Sequence, residues 1–321
     1  MSFQPVIRKK VNLVCGQLSR CMDRSEVLDL VNVWSAFAGD VITEYAFGFC
    51  YNHLESPGCK ENFHAAFMAV SEFGHVALQF PWIHPVLNML PDSINERMNP
   101  PLSIILKLQR DLRTIILRIA SEKGQAYKQQ SHPTIFHEVL RSDLPPQEKA
   151  LRRLGDEAQT IIGAGLETTA WTLSTACFHI INQPRVYEKL RDELCKAIPD
   201  PSAPADWLQL ENLPYLKACI REEFHFNGYM IPLDTPVSRD FLHVHSNERI
   251  FPDSTTYTPE RWLGDPKGPD GVKQLSQYMV AFGRGARMCL GMQMAYCELY
   301  LVVASLKRKF EFELYETDRS L

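Results

Sequence analysis

Cys289 stands in the decapeptide FGRGARMCLG, residues 282 to 291, among three glycines and two arginines, and a helical pattern starts immediately after it. A thiol in that setting admits several chemistries. Arginines and the positive end of a helix lower a cysteine's pKa and so make a nucleophile. A hydrolase would also need a histidine base beside the thiol, and the sequence pairs none of its ten histidines with Cys289. A structural zinc site would draw two to four Cys or His ligands from close spacing, and none lies nearby. Cys289 can also be a lone metal ligand, or simply a small residue at a glycine turn. The other eight cysteines are scattered without a CxxC pair, which reads as free thiols in a reducing compartment, used as small buried hydrophobes.

Two further groups of residues could carry chemistry or hold it in place. In AGLETTA, Glu167 and Thr168 put a carboxyl and a hydroxyl side by side. Proton delivery needs both within reach of the same atom, directly or through water. Gly163 and Gly165 lie just before them, and each costs ~1 kcal/mol in mid-helix relative to alanine. Close packing against a neighbour would justify that cost. Elsewhere, Arg261 follows a Pro-rich stretch in FPDSTTYTPERW, and Glu222 ends the helical pattern LPYLKACIREE.

These residues must be positioned mostly by helices. Apolar residues at Leu102, Ile105, Leu108, Leu112, Ile115, Ile116 and Ile119 keep a helix period that Gly124 closes. Residues 151–181 form a long, almost wholly apolar helix, expected to be buried on nearly every side. RVYEKLRDELCKAI is an amphipathic helix, and the helix after Gly291 runs to about Lys309 with a basic end suited to a C-terminus. NGYMIPLDTPVS reads as a turn and short strand pair, and FEFELYE alternates as a strand does. The expected fold class is mainly α with a small β portion, in one domain over residues 1–321.

Composition removes some function classes. The hydrophobic share is 45%, the charged share 22% and the net charge −4, so nucleic acid is not an expected partner. No run approaches the ~18 apolar residues of a membrane span. The start, MSFQPVIRKKVNLV, lacks the apolar stretch of a signal peptide.

The pattern Phe-x-x-Gly-x-Arg-x-Cys-x-Gly is filled at Phe282, Gly285, Arg287, Cys289 and Gly291, and it resembles the haem-binding signature of the cytochrome P-450 monooxygenases. The resemblance implies a partial P-450 fold and haem b as cofactor, with Cys289 as axial thiolate and metal ligand. It implies that Arg287 meets a haem propionate, that Phe282 shields the sulfur, and that the glycines let the backbone turn beneath the porphyrin. A thiolate ligand donates electron density that favours O–O cleavage. Glu167 and Thr168 are similar to the acid–alcohol pair that relays protons in the family, and are the catalytic residues it implies. Arg261 resembles the meander arginine that pairs with a Glu-x-x-Arg helix.

By the same resemblance the chain inserts one oxygen atom from O2 into a hydrophobic small molecule, with electrons from NADPH through a partner cytochrome reductase. AFAGDVITEYAFG and QFPWIHPVLNMLP are similar to the fungal branch, rich in secondary metabolism. Members of that branch sit on the endoplasmic reticulum surface through an N-terminal helix. This chain shows none, so a cytoplasmic protein is the other expectation. Departures from the pattern are His225 where arginine is expected, Asp234 in place of glycine, a gap after Phe226, and a start beyond the family's N-terminal part. They keep a second reading open: a non-catalytic remnant that binds haem weakly or not at all.

Overall fold

Pro5 in the first turn and a left-handed Ser25 (φ 52°) at the end delimit the first helix, α1 (Gln4–Arg24). Proline costs nothing in the first turn because its missing N–H would have no intrahelical acceptor there. In this computed structural model the described residues are 3–80, 82, 83, 89, 100–121, 132–222 and 241–317. The chain divides into two compact units, residues 1–171 and 172–321.

In the first unit, α1 turns Ile7, Val11, Val14 and Leu18 inward against α2 (Leu30–Phe47). Asp29 caps α2 by accepting the Val31 N–H at 2.9 Å, and Gly48 ends it at φ 67°. Trp34, Phe37, Val41 and Phe47 of α2 are fully buried, so this helix is a core element of the unit. The buried Asp40 side chain accepts the N–H groups of His53 and Leu54 at 2.9 and 3.2 Å, fixing the turn that follows α2. α3 (His64–Gln79), α4 (Pro100–Ser121) and α5 (Ile135–Arg141) follow, with Leu108, Leu112, Ile116 and Ile119 of α4 buried as their spacing requires. Gly124, the expected stop of α4, and most of QFPWIHPVLNMLP lie outside the described residues.

The long helix α6 (Leu151–Asn182) crosses the unit boundary and runs unbroken. Its burial differs from expectation. Leu154, Ala158, Ile162, Leu166, Leu173 and Ile180 form one buried stripe, while Trp171 is 65% exposed and Thr168 is exposed. The reason is side-chain size. Much of the helix's apolar content is Ala, Gly and Thr, which do not force burial as Leu and Ile do.

In the second unit, α7 (Pro184–Ala197), α8 (Trp207–Glu211) and α9 (Pro214–Arg221) pack around α11 (Met292–Lys309), with the short α10 (Phe241–His245) between α9 and α11 in the chain. Glu193 of α7 accepts the first N–H groups of α9, from Tyr215 and Leu216, at 2.8 and 2.7 Å. Residues 299–304 of α11 are all buried. The alternating segment after α11 is extended at Phe310 (φ −124°, ψ 152°), yet it joins no sheet. Helix side chains engage it instead: Tyr187 donates to the Phe310 carbonyl at 3.1 Å and Arg191 pairs with Glu311. Alternation chooses a face, but a strand also needs a partner edge. Among the described residues the one β pairing is an isolated bridge, Lys267 to Gln274. The mainly helical class therefore holds, and the expected strand pair at NGYMIPLDTPVS lies outside the described residues.

His245 gives the second unit a pH dependence. It is 1% exposed, and its Nε2 accepts the Val280 N–H at 2.8 Å. Burial pushes its pKa from 6.5 down to about 4. The unfolded chain then binds more protons than the folded one between those values, so stability falls as pH drops through that window. Between pH 7 and pH 5 the loss is about 2 kcal/mol from this residue. Denaturant midpoints at the two pH values should converge in His245→Gln, which keeps an acceptor without a titrating ring. An equal loss in both proteins would reject the assignment.

Candidate functional site

The signature loop is built from local backbone bonds in the second unit. The Cys289 N–H donates to the Phe282 carbonyl at 2.8 Å, and the Met288 N–H donates to Gly285 at 3.1 Å. Gly283 (φ 70°) and Gly285 (φ 80°) take left-handed conformations that a side chain would strain. A Cβ on Gly285 would meet open space, so backbone conformation rather than crowding requires glycine there. Gly291 is the N-cap of α11, and its carbonyl accepts the Ala295 N–H at 2.9 Å. The first N–H groups of α11 have no intrahelical acceptor and give this end of the helix a positive character.

Within that loop Cys289 is a free, exposed thiol. Five of the other eight cysteines are buried and Cys21, Cys50 and Cys195 are half-buried. Among the described residues, no three His, Cys, Asp or Glu side chains are grouped as a metal cage would be. Arg287 is exposed and forms no ion pair among the described residues. Phe282 rests its ring on Tyr296, centroids 5.0 Å apart. The loop thus offers one thiol for a metal and one guanidinium for an anion, two positions apart in sequence.

Glu167 and Thr168 belong to the first unit. Thr168 Oγ donates to the Ala164 carbonyl at 2.7 Å, a bond back along its own helix. Glu167 meets a residue that sequence reasoning missed: His64 Nδ1, at the start of α3, lies 3.0 Å from Oε2 and 3.3 Å from Oε1. Burial raises the Glu167 pKa and His64 draws it down. The pair is separated by 103 positions, and nothing local to NFHAAF announces it. The glycines before it are used for packing. A Cβ on Gly163 would come within 2.7 Å of Phe67, and one on Gly165 within 2.6 Å of Ile42. Neighbouring side chains fill that side of the helix, and α6 shows no break at which a groove would open.

The ion network of the second unit is present around Glu222. Oε1 accepts the Arg261 Nε–H at 2.6 Å and the Thr258 N–H at 2.8 Å, and Oε2 accepts the Trp262 indole N–H at 2.6 Å. Arg261 continues to the carbonyls of Pro252, Asp253 and Thr256, at 2.5, 3.0 and 3.0 Å. Burial pushes the Glu222 carboxyl up, and these three donors pull it back. Trp262 and Thr258 were not foreseen as members. His225, expected to weaken this network, lies outside the described residues, as does Asp234.

Comparison with known proteins gives these features a common frame. The family model described as Cytochrome P450 matches residues 1–320. The chain is similar to cytochrome P450 monooxygenase sdnE of Sordaria araneosa, at 41% identity over 99% of this chain and 67% of that protein. It is similar to tryptophan 6-hydroxylase fscE of Fusarium equiseti, at 32% identity over 99% of this chain and 65% of the relative. N-acetyltryptophan 6-hydroxylase ivoC of Emericella nidulans is 34% identical, over 97% and 64%. The chain spans about two thirds of the length of the curated relatives it matches. With a matching family model across both units and all five signature positions filled in the loop before α11, this chain belongs to the cytochrome P450 family.

Proposed function

We propose that this chain is a haem-dependent monooxygenase domain over residues 1–321 that inserts one oxygen atom of O2 into a hydrophobic small molecule of fungal secondary metabolism. The observation that carries this reading is the exposed thiol of Cys289 in its closed loop. The residues fit haem b. The Cys289 thiol would hold the iron, and Arg287, which forms no ion pair among the described residues, would meet a propionate. Phe282, Gly285 and Gly291 shape the loop that holds the ligand. When bound, the haem supplies an iron centre at which O2 is activated.

The chain's own polar residues would handle protons. Burial lifts Glu167 toward the neutral pH range, so its carboxyl holds a proton more readily than an exposed glutamate. His64 Nδ1 lies within proton-exchange distance of it. Thr168 Oγ gives its own proton to the Ala164 carbonyl, which leaves the oxygen's lone pairs as acceptors for a water or a carboxyl proton. Hydroxylation is the reaction class that the names of the fscE and ivoC relatives support. Electrons would come from NADPH through a partner reductase, at the endoplasmic reticulum surface. Among the described residues no helix is long and apolar enough to cross a membrane.

Spectroscopy of the haem-loaded protein, reduced under CO, tests the reading. A band at about 450 nm requires iron with a thiolate ligand, and its absence would favour the non-catalytic reading. A finer expectation concerns Thr168→Ala. Haem content should stay near that of the parent, while a larger share of NADPH electrons ends in peroxide. Unchanged coupling of NADPH use to product would remove Thr168 from the relay.

A further inference from the structure

One pair of reactive side chains lies apart from everything used above. Lys10 of α1 is 4% exposed, and its Nζ is 2.8 Å from Sγ of Cys50, two residues beyond the Gly48 cap of α2. Glu44 Oε2 lies 3.0 Å from the same Nζ, and the Asn52 N–H donates to the same sulfur at 3.3 Å. Cys50 is half-buried and so partly open to solvent, whereas Lys10 is almost wholly covered. Burial freezes a side chain that ordinarily carries about 2 kcal/mol of rotamer entropy, and a nucleophile so placed reacts as if at very high concentration.

We propose that Lys10 and Cys50 form a reversible sulfur–nitrogen cross-link when the protein meets hydrogen peroxide. In the first step the Cys50 sulfur attacks a peroxide oxygen. The O–O bond breaks, an S–O bond forms, and the departing hydroxide leaves as water with the thiol proton. Sulfur is oxidised by two electrons to a sulfenic acid and the peroxide is reduced. In the second step Lys10, whose pKa burial lowers but Cys50 and Glu44 raise further, loses its ammonium proton to the alkaline medium by way of the Glu44 carboxylate, and the free amine attacks the sulfur. The S–N bond forms, the S–O bond breaks, and hydroxide leaves as a second water with a proton from the nitrogen. The second step exchanges no electrons. Sulfenic acids are known to condense with nitrogen in this way when one is held against the sulfur. The product would tie α1 to the turn after α2 across 40 positions of chain.

Burial, then the Asp40 carboxylate, hold the Cys50 thiol above its ordinary pKa, so the first step is faster in alkaline buffer. The test is peroxide treatment of the full chain in such buffer, alkylation of remaining thiols, and digestion without reductant. Tandem mass spectrometry should find a peptide pair joined at residues 10 and 50. That pair should be lighter by two hydrogens than the separate peptides, and dithiothreitol should release it. In Lys10→Arg, which keeps the cation but not a nucleophilic amine, the pair should vanish and dimedone labelling of Cys50 should rise several-fold. Glu44→Gln should slow cross-linking several-fold without reducing sulfenic acid formation. Equal dimedone labelling in the parent and Lys10→Arg, a cross-link that retains an oxygen atom, or no oxidation at Cys50 would each overturn the proposal.

Discussion

Cys289→Ala is expected to eliminate the reduced-CO band at about 450 nm completely, because Cys289 is the thiol that the family signature would give to the iron. The loop residues around Cys289 fill every fixed position of the family's signature, and its thiol is exposed at the start of α11. The alternatives are chemically poorer. Burial raises the thiol pKa of Cys50, Cys59 and Cys219, Cys59 to about 11, which disfavours the thiolate a metal needs. In the haem-free chain the substitution is at the surface, so there it should alter stability by no more than about 0.5 kcal/mol. Loss of the band therefore reports ligation and not unfolding, with helical circular dichroism as the control. A band that survives in Cys289→Ala would refute the ligand assignment.

The largest stability effect is expected from Glu222→Ala. Its side chain is 2% exposed and that of Arg261 is 9% exposed. Removing the carboxylate strands the Arg261 charge and takes away the acceptor of the Thr258 and Trp262 N–H groups. The carbonyls of Pro252, Asp253 and Thr256 still accept from the guanidinium, but they do not neutralise it. Breaking a buried pair in this manner costs ~3–5 kcal/mol, against a total margin of ~5–15 kcal/mol. Glu222→Gln, which keeps an acceptor oxygen for Arg261, should lose less than the alanine variant. Urea unfolding of the three proteins measures the series. A shift below about 1 kcal/mol for Glu222→Ala would mean that solvent replaces the carboxylate, contrary to the burial.

Both expectations draw on residues visible in the sequence, but to different depths. The helix after Gly291 was legible almost to its last residue, since Gly291 precedes Met292 and the Lys307–Arg308–Lys309 end is its last turn. The length of α6 was legible for the same reason, whereas its burial was not. Periodicity needs large apolar residues to mark a face, and residues 163–170 are mostly small. FEFELYE carried the right alternation for a strand, yet α7 supplies its polar partners through Tyr187 and Arg191.

The thiol loop was legible from residue types alone. Its turns follow from Gly283 and Gly285, and its closing bond joins Phe282 to Cys289, so these causes lie within ten residues. Backbone conformation and helix starts are local properties, and residue types report them directly. Which polar groups meet was settled by the packing of segments distant in the chain. His64 finds Glu167 across 103 positions, Trp262 finds Glu222 across 40, and Lys10 finds Cys50 across 40. Such pairings are fixed by how helices pack. Packing follows from the summed burial of many apolar side chains, which no spacing of the polar residues themselves records.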